Sequence, residues 1–254
     1  MNVVVLAKWV PSPQGTPELG PDYLLVRAGA DGALDPGDEF GLEAALQLVE
    51  AGGGEVTVVS MGPDEALAAV QRGLAMGAHR GVLITDPALR GADTLMTARA
   101  LAAAIGRQPF DLVIAGVEST DGYTGTLPVT VAELLAVDSV TAVRHVEPAN
   151  GALRLERQTE AGYDVVTCSM PAVIALTAGA NEPRYPSLKG IMAAKQKPLE
   201  RLTAEELGLT ADVLAPTQRV VDVEDAAPKA GGEIIGADEA VARVADLLAE
   251  AKVI

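Results

Sequence analysis

The chain has 254 residues, with 19 Lys+Arg against 35 Asp+Glu and a formal charge of −16. Apolar residues make up 49%, too many for a disordered chain, and the charge opposes general affinity for nucleic acid or an anionic membrane. One cysteine, Cys168, and two histidines, His79 and His145, exclude an internal disulfide and leave little for a metal centre, and no run approaches the ~20 apolar residues of a membrane span. The start Met1-Asn2-Val3-Val4-Val5 lacks the basic opening and cleavage site of a signal peptide, so a soluble, cytoplasmic protein is expected.

Asn2–Leu6 is an apolar, β-branched run that predicts a buried strand. Residues Pro11 to Pro36 hold five prolines and predict a loop, with an excursion at Tyr23-Leu24-Leu25-Val26. A helix is expected from near Asp38, with Leu42, Ala45, Leu46 and Val49 on one face and Gly52-Gly53-Gly54 as its stop. Glu55–Met61 predicts the second strand. Gly62-Pro63-Asp64 opens a helix carrying Leu67, Val70 and Leu74 and ending at Gly77, and Gly81–Ile84 is the third strand. Asp93 suits an N-cap for a helix bearing Leu95, Ala98, Ala102 and Ile105, and Asp111–Ala115 is the fourth strand. Apolar strands separated by single helices predict a mostly parallel α/β sheet covered on both faces, with ligands beyond the strands' carboxyl ends.

Four further strands are expected at Val140–Val146, Leu153–Gln158, Tyr163–Ser169 and Ala172–Leu176, as an antiparallel addition. Asn150-Gly151 is a hairpin signal and Glu160-Ala161-Gly162 a second turn. Cys168 fits the core of its strand, and Trp9 a core or pocket wall. Beyond Lys197 the chain turns polar and irregular, with Pro198, Pro216, Pro228 and Gly231-Gly232. Thr203-Ala204-Glu205-Glu206 reads as a capping box on a short helix. A last helix is expected over Asp238–Ala251, with Val241, Val244 and Leu248 on one face.

Three segments are candidates for function. The loop Gly116-Val117-Glu118-Ser119-Thr120-Asp121-Gly122-Tyr123-Thr124-Gly125-Thr126-Leu127-Pro128 is small, hydroxyl-rich and precedes a helix, whose N-terminal amides could hold phosphate; from spacing alone an ordinary polar loop with helix-capping Asp and Thr is the favoured reading. There is no G-x-G-x-x-G and no G-x-x-x-x-G-K-[ST]. Leu34-Asp35-Pro36-Gly37-Asp38-Glu39 could form a pocket rim, Asp35 accepting from a ribose hydroxyl, or simply a turn and helix cap. Asn181 to Lys197 places basic residues at 184, 189, 195 and 197 in an acidic chain, around an apolar Leu188. It suits a protein-docking segment or a solvated helix with scattered lysines. No nucleophile–base set emerges.

The run Asn181-Glu182-Pro183-Arg184-Tyr185-Pro186-Ser187-Leu188-Lys189-Gly190-Ile191-Met192-Ala193-Ala194-Lys195-Gln196-Lys197 closely resembles the signature of the electron-transfer flavoprotein β-subunit family, N-E-P-R-Y-P-[ST]-L-x-x-I-M-x-A-K-x-K. Val4–Val10, Leu34–Leu48, Leu74–Arg80, Phe110–Gly116, Asp121-Gly122 and Ala132–Leu135 are similar to other family landmarks, so the resemblance spans about residues 1 to 210. It implies a Rossmann-like, doubly wound domain (1–197) and a C-terminal arm (198–254) that contacts a partner.

The resemblance further implies a heterodimer with an α subunit that holds most of one FAD. By the same resemblance the chain is expected to serve an electron carrier rather than an enzyme, one taking electrons from dehydrogenases such as those acting on acyl-CoA, in fatty acid oxidation, and passing them to a quinone oxidoreductase or other acceptor. AMP is the nucleotide many members hold in the α/β pocket. Carried over, that pocket is Leu6, Asp35, Pro36, Gly37, Asp38, Met61, Val117, Asp121, Gly122, Tyr123, Thr124, Gly125, Thr126 and Leu127. The docking residues are Ser187, Leu188, Lys189, Ile191 and Met192. The sequence departs from the family at Asp35, where Asn is usual, at His79, at Gln158, and at 122–127, where a Gln-Thr-Gly phosphate cradle is replaced. Two alternatives are a bifurcating subunit with its own FAD that accepts hydride from NADH, and a stand-alone nucleotide-binding protein.

Overall fold

A computed structural model describes residues 1–12, 18–27, 29–224, 226–227, 231–232 and 234–254. Pro13, Pro17 and Pro228, counted above in the loop and the arm, lie outside the described residues. The chain divides into two units, Met1–Val220 and Val221–Ile254. The stretch from Pro198 to Val220, expected in the arm, thus belongs to the first unit.

The first unit is built on a nine-stranded sheet of order β11-β5-β4-β1-β6-β10-β7-β8-β9. Its strands are β1 (Asn2–Leu6), β4 (Glu55–Met61), β5 (Arg80–Ile84), β6 (Leu112–Gly116), β7 (Asp138–Ala149), β8 (Ala152–Thr159), β9 (Gly162–Ser169), β10 (Ala172–Leu176) and β11 (Leu199–Leu202). From β11 to β7 all neighbours are parallel, and β7-β8-β9 is an antiparallel meander. The fold is therefore the expected α/β, mostly parallel and doubly wound.

Side-chain alternation along the strands separates two apolar layers. Val3, Val5, Leu112, Ile114 and Ile174 face the layer with Leu42, Leu46, Val70 and Leu74, from α1 (Pro36–Gly52) and α2 (Leu67–Met76). Val4, Leu6, Val113, Ala115 and Val173 face the layer with Met96, Leu101, Ile105 and Val131, from α3 (Thr94–Ile105) and α4 (Leu127–Leu135). Helices thus cover both faces, as unbroken apolar strands require. No helix among the described residues is long and apolar enough to cross a membrane.

Four expectations need correction. Ala172–Leu176 is not an antiparallel addition: β10 runs parallel between β6 and β7. All five of its residues are buried, which only an interior strand achieves, whereas β7–β9 keep many exposed positions. The first helix starts at Pro36, not Asp38, because Asp35 caps it and proline suits the first helical position. The Pro11–Pro36 loop begins and ends in a small hairpin of β2 (Trp9–Pro11) and β3 (Gly32–Leu34). A Cβ on Gly32 would lie 2.1 Å from the Trp9 ring, so only glycine lets the buried indole pack there. Thr203 and Glu206 do make the reciprocal capping-box bonds, but turns rather than a helix follow, and the unforeseen β11 precedes them.

The second unit carries α6 (Ala237–Glu250), in which no residue is buried. Val241, Val244, Leu247 and Leu248 form its exposed apolar side.

Candidate functional site

The chain leaves β1 for β4 and β5 on one side, then returns through α3 to β6 on the other side of β1. The carboxyl ends of β1 and β6 therefore flank the point where strand order reverses, where open α/β sheets form their crevice. The segments after Leu6 and after Gly116 meet there with the start of α1.

Asp35 is fully buried at that junction. Its Oδ1 accepts from Gly37 N at 2.8 Å, capping α1, and its Oδ2 accepts from Thr120 N at 2.7 Å and Thr120 Oγ1 at 2.8 Å. Asp38 accepts from Lys8 N at 2.8 Å and Gly116 N at 3.3 Å. Burial, then the neighbouring Asp35 charge, pushes the Asp38 carboxyl up to about 7, against these two donors. Asp121 is bound by the Lys8 ammonium and the Arg27 guanidinium. Burial raises its carboxyl, but those two cations outweigh burial and hold it below the usual range. Lys8 also donates to Ser119 Oγ at 3.0 Å.

The expected pocket residues thus separate into groups. Asp35, Pro36, Gly37, Asp38 and Asp121 come together, but as a latch: Asp35 takes the Gly37 amide at the α1 start, Asp38 takes the amides of Lys8 and Gly116, and Asp121 pairs with Lys8 and Arg27. Leu6, Met61 and Leu127 contribute to the apolar layer under α3 and α4. Val117 is half-buried, while Gly122, Tyr123, Thr124 and Thr126 are exposed and Gly125 half-buried. Thr126 is the α4 N-cap without a side-chain bond, and the amides of Thr124, Gly125 and Thr126 have no protein acceptor among the described residues. Donors at the start of α4 are consequently available to a phosphate, and those of α1 are taken. The Glu118 carboxylate lies beside that cradle, 3.5 Å from a Cβ built on Gly125. Lys8 and Arg27 were not among the candidates, because the latch joins residues up to 113 positions apart; Ser119 and Thr120 lay in the candidate loop, but their partners Lys8 and Asp35 were not foreseen.

The 181–197 segment lies on α1 and α2. Asn181 Nδ2 donates to Phe40 O at 2.9 Å. Arg184 forks onto Glu43, with Nε–Oε2 at 2.7 Å and Nη2–Oε1 at 2.9 Å, and reaches Glu50 Oε2 at 3.0 Å. Glu50 and then Glu43 raise the guanidinium's pKa, and the same bonds hold both glutamates below their usual range, in Glu43 against burial. Lys197 Nζ donates to Leu74 O at 2.8 Å and Ala78 O at 2.7 Å, closing the end of α2, and burial pushes its ammonium down. Glu43 and Glu50 are seven residues apart on one face of α1, a spacing that could have pointed to a shared cation.

Between these ties, Ser187 caps α5 (Leu188–Ala194) by accepting from Gly190 N at 3.0 Å. A Cβ on Gly190 would fall 2.4 Å from Ala75 O, so glycine lets α5 sit directly on α2. The outer face then carries Leu188 at 76% exposure, Met192 at 67%, Ile191 at 47% and Tyr185 at 88%, with Lys189 also exposed. All five expected docking residues are thus on or beside one short helix.

The family model for the electron transfer flavoprotein domain matches residues 22–207. The electron transfer flavoprotein subunit beta of Mycobacterium tuberculosis is 42% identical over 218 residues, covering 83% of this chain and 82% of that protein. The same-named subunit of Mycobacterium leprae is 36% identical and covers 100% of this chain and 99% of that protein. That of Bacillus subtilis is 34% identical, covering 89% and 90%. With a family model over most of its length and relatives matched nearly end to end, the chain belongs to the electron transfer flavoprotein β-subunit family.

Proposed function

We propose that this chain is the β half of a heterodimeric electron carrier whose α subunit holds one FAD. In this reading it takes electrons from dehydrogenases, acyl-CoA dehydrogenases among them, and passes them to a quinone oxidoreductase or another acceptor. The observation that carries this is the α5 face: Leu188, Ile191 and Met192 stand exposed on a segment fastened at both ends to rigid helices. Apolar side chains held out of a charged surface suit a partner's pocket better than solvent. FAD supplies the redox chemistry when bound; this chain's residues present the donor-facing surface.

An adenine nucleotide, AMP in this proposal, has its phosphate at the α4 start. The free amides of Thr124, Gly125 and Thr126, the hydroxyls of Thr124 and Thr126, and the exposed Tyr123 fit that group. Asp35, Asp38 and Asp121 are committed elsewhere. The nucleotide's part is structural, and no electron passes through it. The exposed apolar side of α6 supports the arm's contact with the α subunit.

The test is co-expression with the α subunit and identification of every bound group by mass spectrometry. One FAD and one AMP per heterodimer, with no flavin on this chain alone, is the expected result. Two flavins per heterodimer would overturn the single-FAD reading, and absence of AMP would remove the phosphate site.

A further inference from the structure

We propose that Arg184 is a positioning residue whose fork across Glu43 and Glu50 sets the pose in which Leu188 meets the electron donor. The inference rests on the docking role proposed for Leu188. Arg184 stands four residues before Leu188, with Pro186 stiffening the connection. Its backbone N donates to Glu43 Oε2 at 3.1 Å, and its side chain binds both oxygens of that carboxylate as well as Glu50. Glu43 is only 3% exposed, so its position is set by the packing of α1. A planar guanidinium held at three nitrogens fixes direction as well as place; a lysine in its position could match the charge at one point only.

The pins upstream and downstream of Leu188 differ in kind. Downstream, Gly190 rests on Ala75 and Lys197 closes α2, so α5 stays seated on α2 whatever happens to Arg184. Upstream, the only other side-chain hydrogen bond from residues 181–187 to the scaffold among the described residues is Asn181 on Phe40 O. Releasing Arg184 thus frees the entry into α5, where Leu188 is the first helical residue, and leaves the helix in place.

The test uses the αβ heterodimer as the varied substrate of an acyl-CoA dehydrogenase from the same source, reduced by its acyl-CoA. The variants are R184Q, R184K, L188A and the double R184Q/L188A, with flavin content and Tm measured alongside. R184Q is expected to raise KM about 5-fold, and R184K about 2- to 3-fold, with kcat nearly unchanged and flavin content full. Because Arg184 acts through Leu188, the double variant should be no worse than L188A. A wild-type KM for R184Q beside a raised KM for L188A overturns the positioning role alone, as do effects that multiply in the double variant. An unchanged KM for L188A would sink the docking role and this inference with it. Should R184Q give no soluble heterodimer, R184K carries the test, and a wild-type KM there overturns the proposal.

Discussion

Leu188→Ala isolates the proposed docking contact because Leu188 does so little for the fold. Its side chain is 76% exposed in this chain, so about three quarters of its surface is available for burial by a partner. Complete burial of leucine stabilises by about 1.5–3 kcal/mol. On the proposed role, docking gains on the order of 1–2 kcal/mol from this residue, and truncation removes most of it. That corresponds to a rise of about 5- to 30-fold in the KM of a donor dehydrogenase for the heterodimer. The Tm should not fall, since alanine at the first position of α5 is at least as good a helix former. The assay is stopped-flow reduction of the heterodimer's flavin by dehydrogenase pre-reduced with acyl-CoA. Reduction by dithionite serves as the control, because it bypasses docking. Since the lost contact is apolar, the defect should persist at high salt, where a charge-based defect would shrink. A change below about twofold in the dehydrogenase-driven rate, or an equal loss in the dithionite control, would refute the reasoning.

Three predictions concern the scaffold. The folded Asp38 carboxyl, pushed up to about 7, lies above the ~3.9 of an unfolded aspartate, so the native state holds an extra proton between those values. Its contribution is full below pH ~4 and lost as pH rises through about 7; urea unfolding of wild type relative to Asp38→Asn should show that decline, and parallel curves across the window would contradict it. Asp93 caps α3 through Met96 N and also accepts from Thr217 N, Thr217 Oγ1 and Gln218 N. Burial is outweighed by those donors and its carboxyl falls to about 2, so its stabilisation is present above pH ~4 and fades on acidification. Asp93→Ala should cost about 1–2 kcal/mol at neutral pH and open the 217–224 stretch to protease; wild-type resistance there would argue against the tie. Gly190→Ala drives a Cβ towards Ala75 O and must lift α5, lowering stability by about 1–3 kcal/mol; an unaltered thermal transition would show that the close approach is relieved at no cost.

Local signals in the sequence located most of the elements because those elements rest on local causes. Asn150-Gly151 is a turn with both residues at positive φ, and Asp93 caps α3 as its position suggested. Gly77 ends α2. The place of β10 was not legible, since a five-residue apolar run carries no statement of which strands it joins. Its insertion between β6 and β7 is decided by burial on both faces. The same limit governs the candidate site. Asp121 and Asp35 were visible as polar residues in unusual loops, but their partners Lys8, Arg27 and Thr120 come from distant positions that only the doubly wound topology brings together. Within 181–197 an outward Leu188 was one of two open readings of the residues and the display of Ile191 and Met192 followed only from the family resemblance, whereas the ties of Arg184 to α1 and Lys197 to α2 were not foreseen.

Those ties change what the 181–197 pattern means. Arg184, Gly190 and Lys197 have their functional atoms, or in glycine the lack of them, turned towards α1 and α2, and Asn181 binds the backbone beneath it. Leu188, Ile191, Met192 and Tyr185 face outward and meet little of this chain. One run of seventeen residues therefore answers two separate demands, fastening and display, and changes at the two sets should have different signatures. A loss at a fastening position trades stability or pose, and is judged by Tm and by coupling to Leu188. A loss at a display position leaves the fold intact and is felt only when a second protein arrives. Because the fastening residues bind α1 and α2, which pack on the same apolar layer as β1 and β6, the displayed face is held in fixed register with the crevice at the sheet's reversal point. Under the proposed role, that rigidity suits meeting a donor in one orientation, since a flexible loop bearing the same leucine would lose part of its docking energy to ordering on contact.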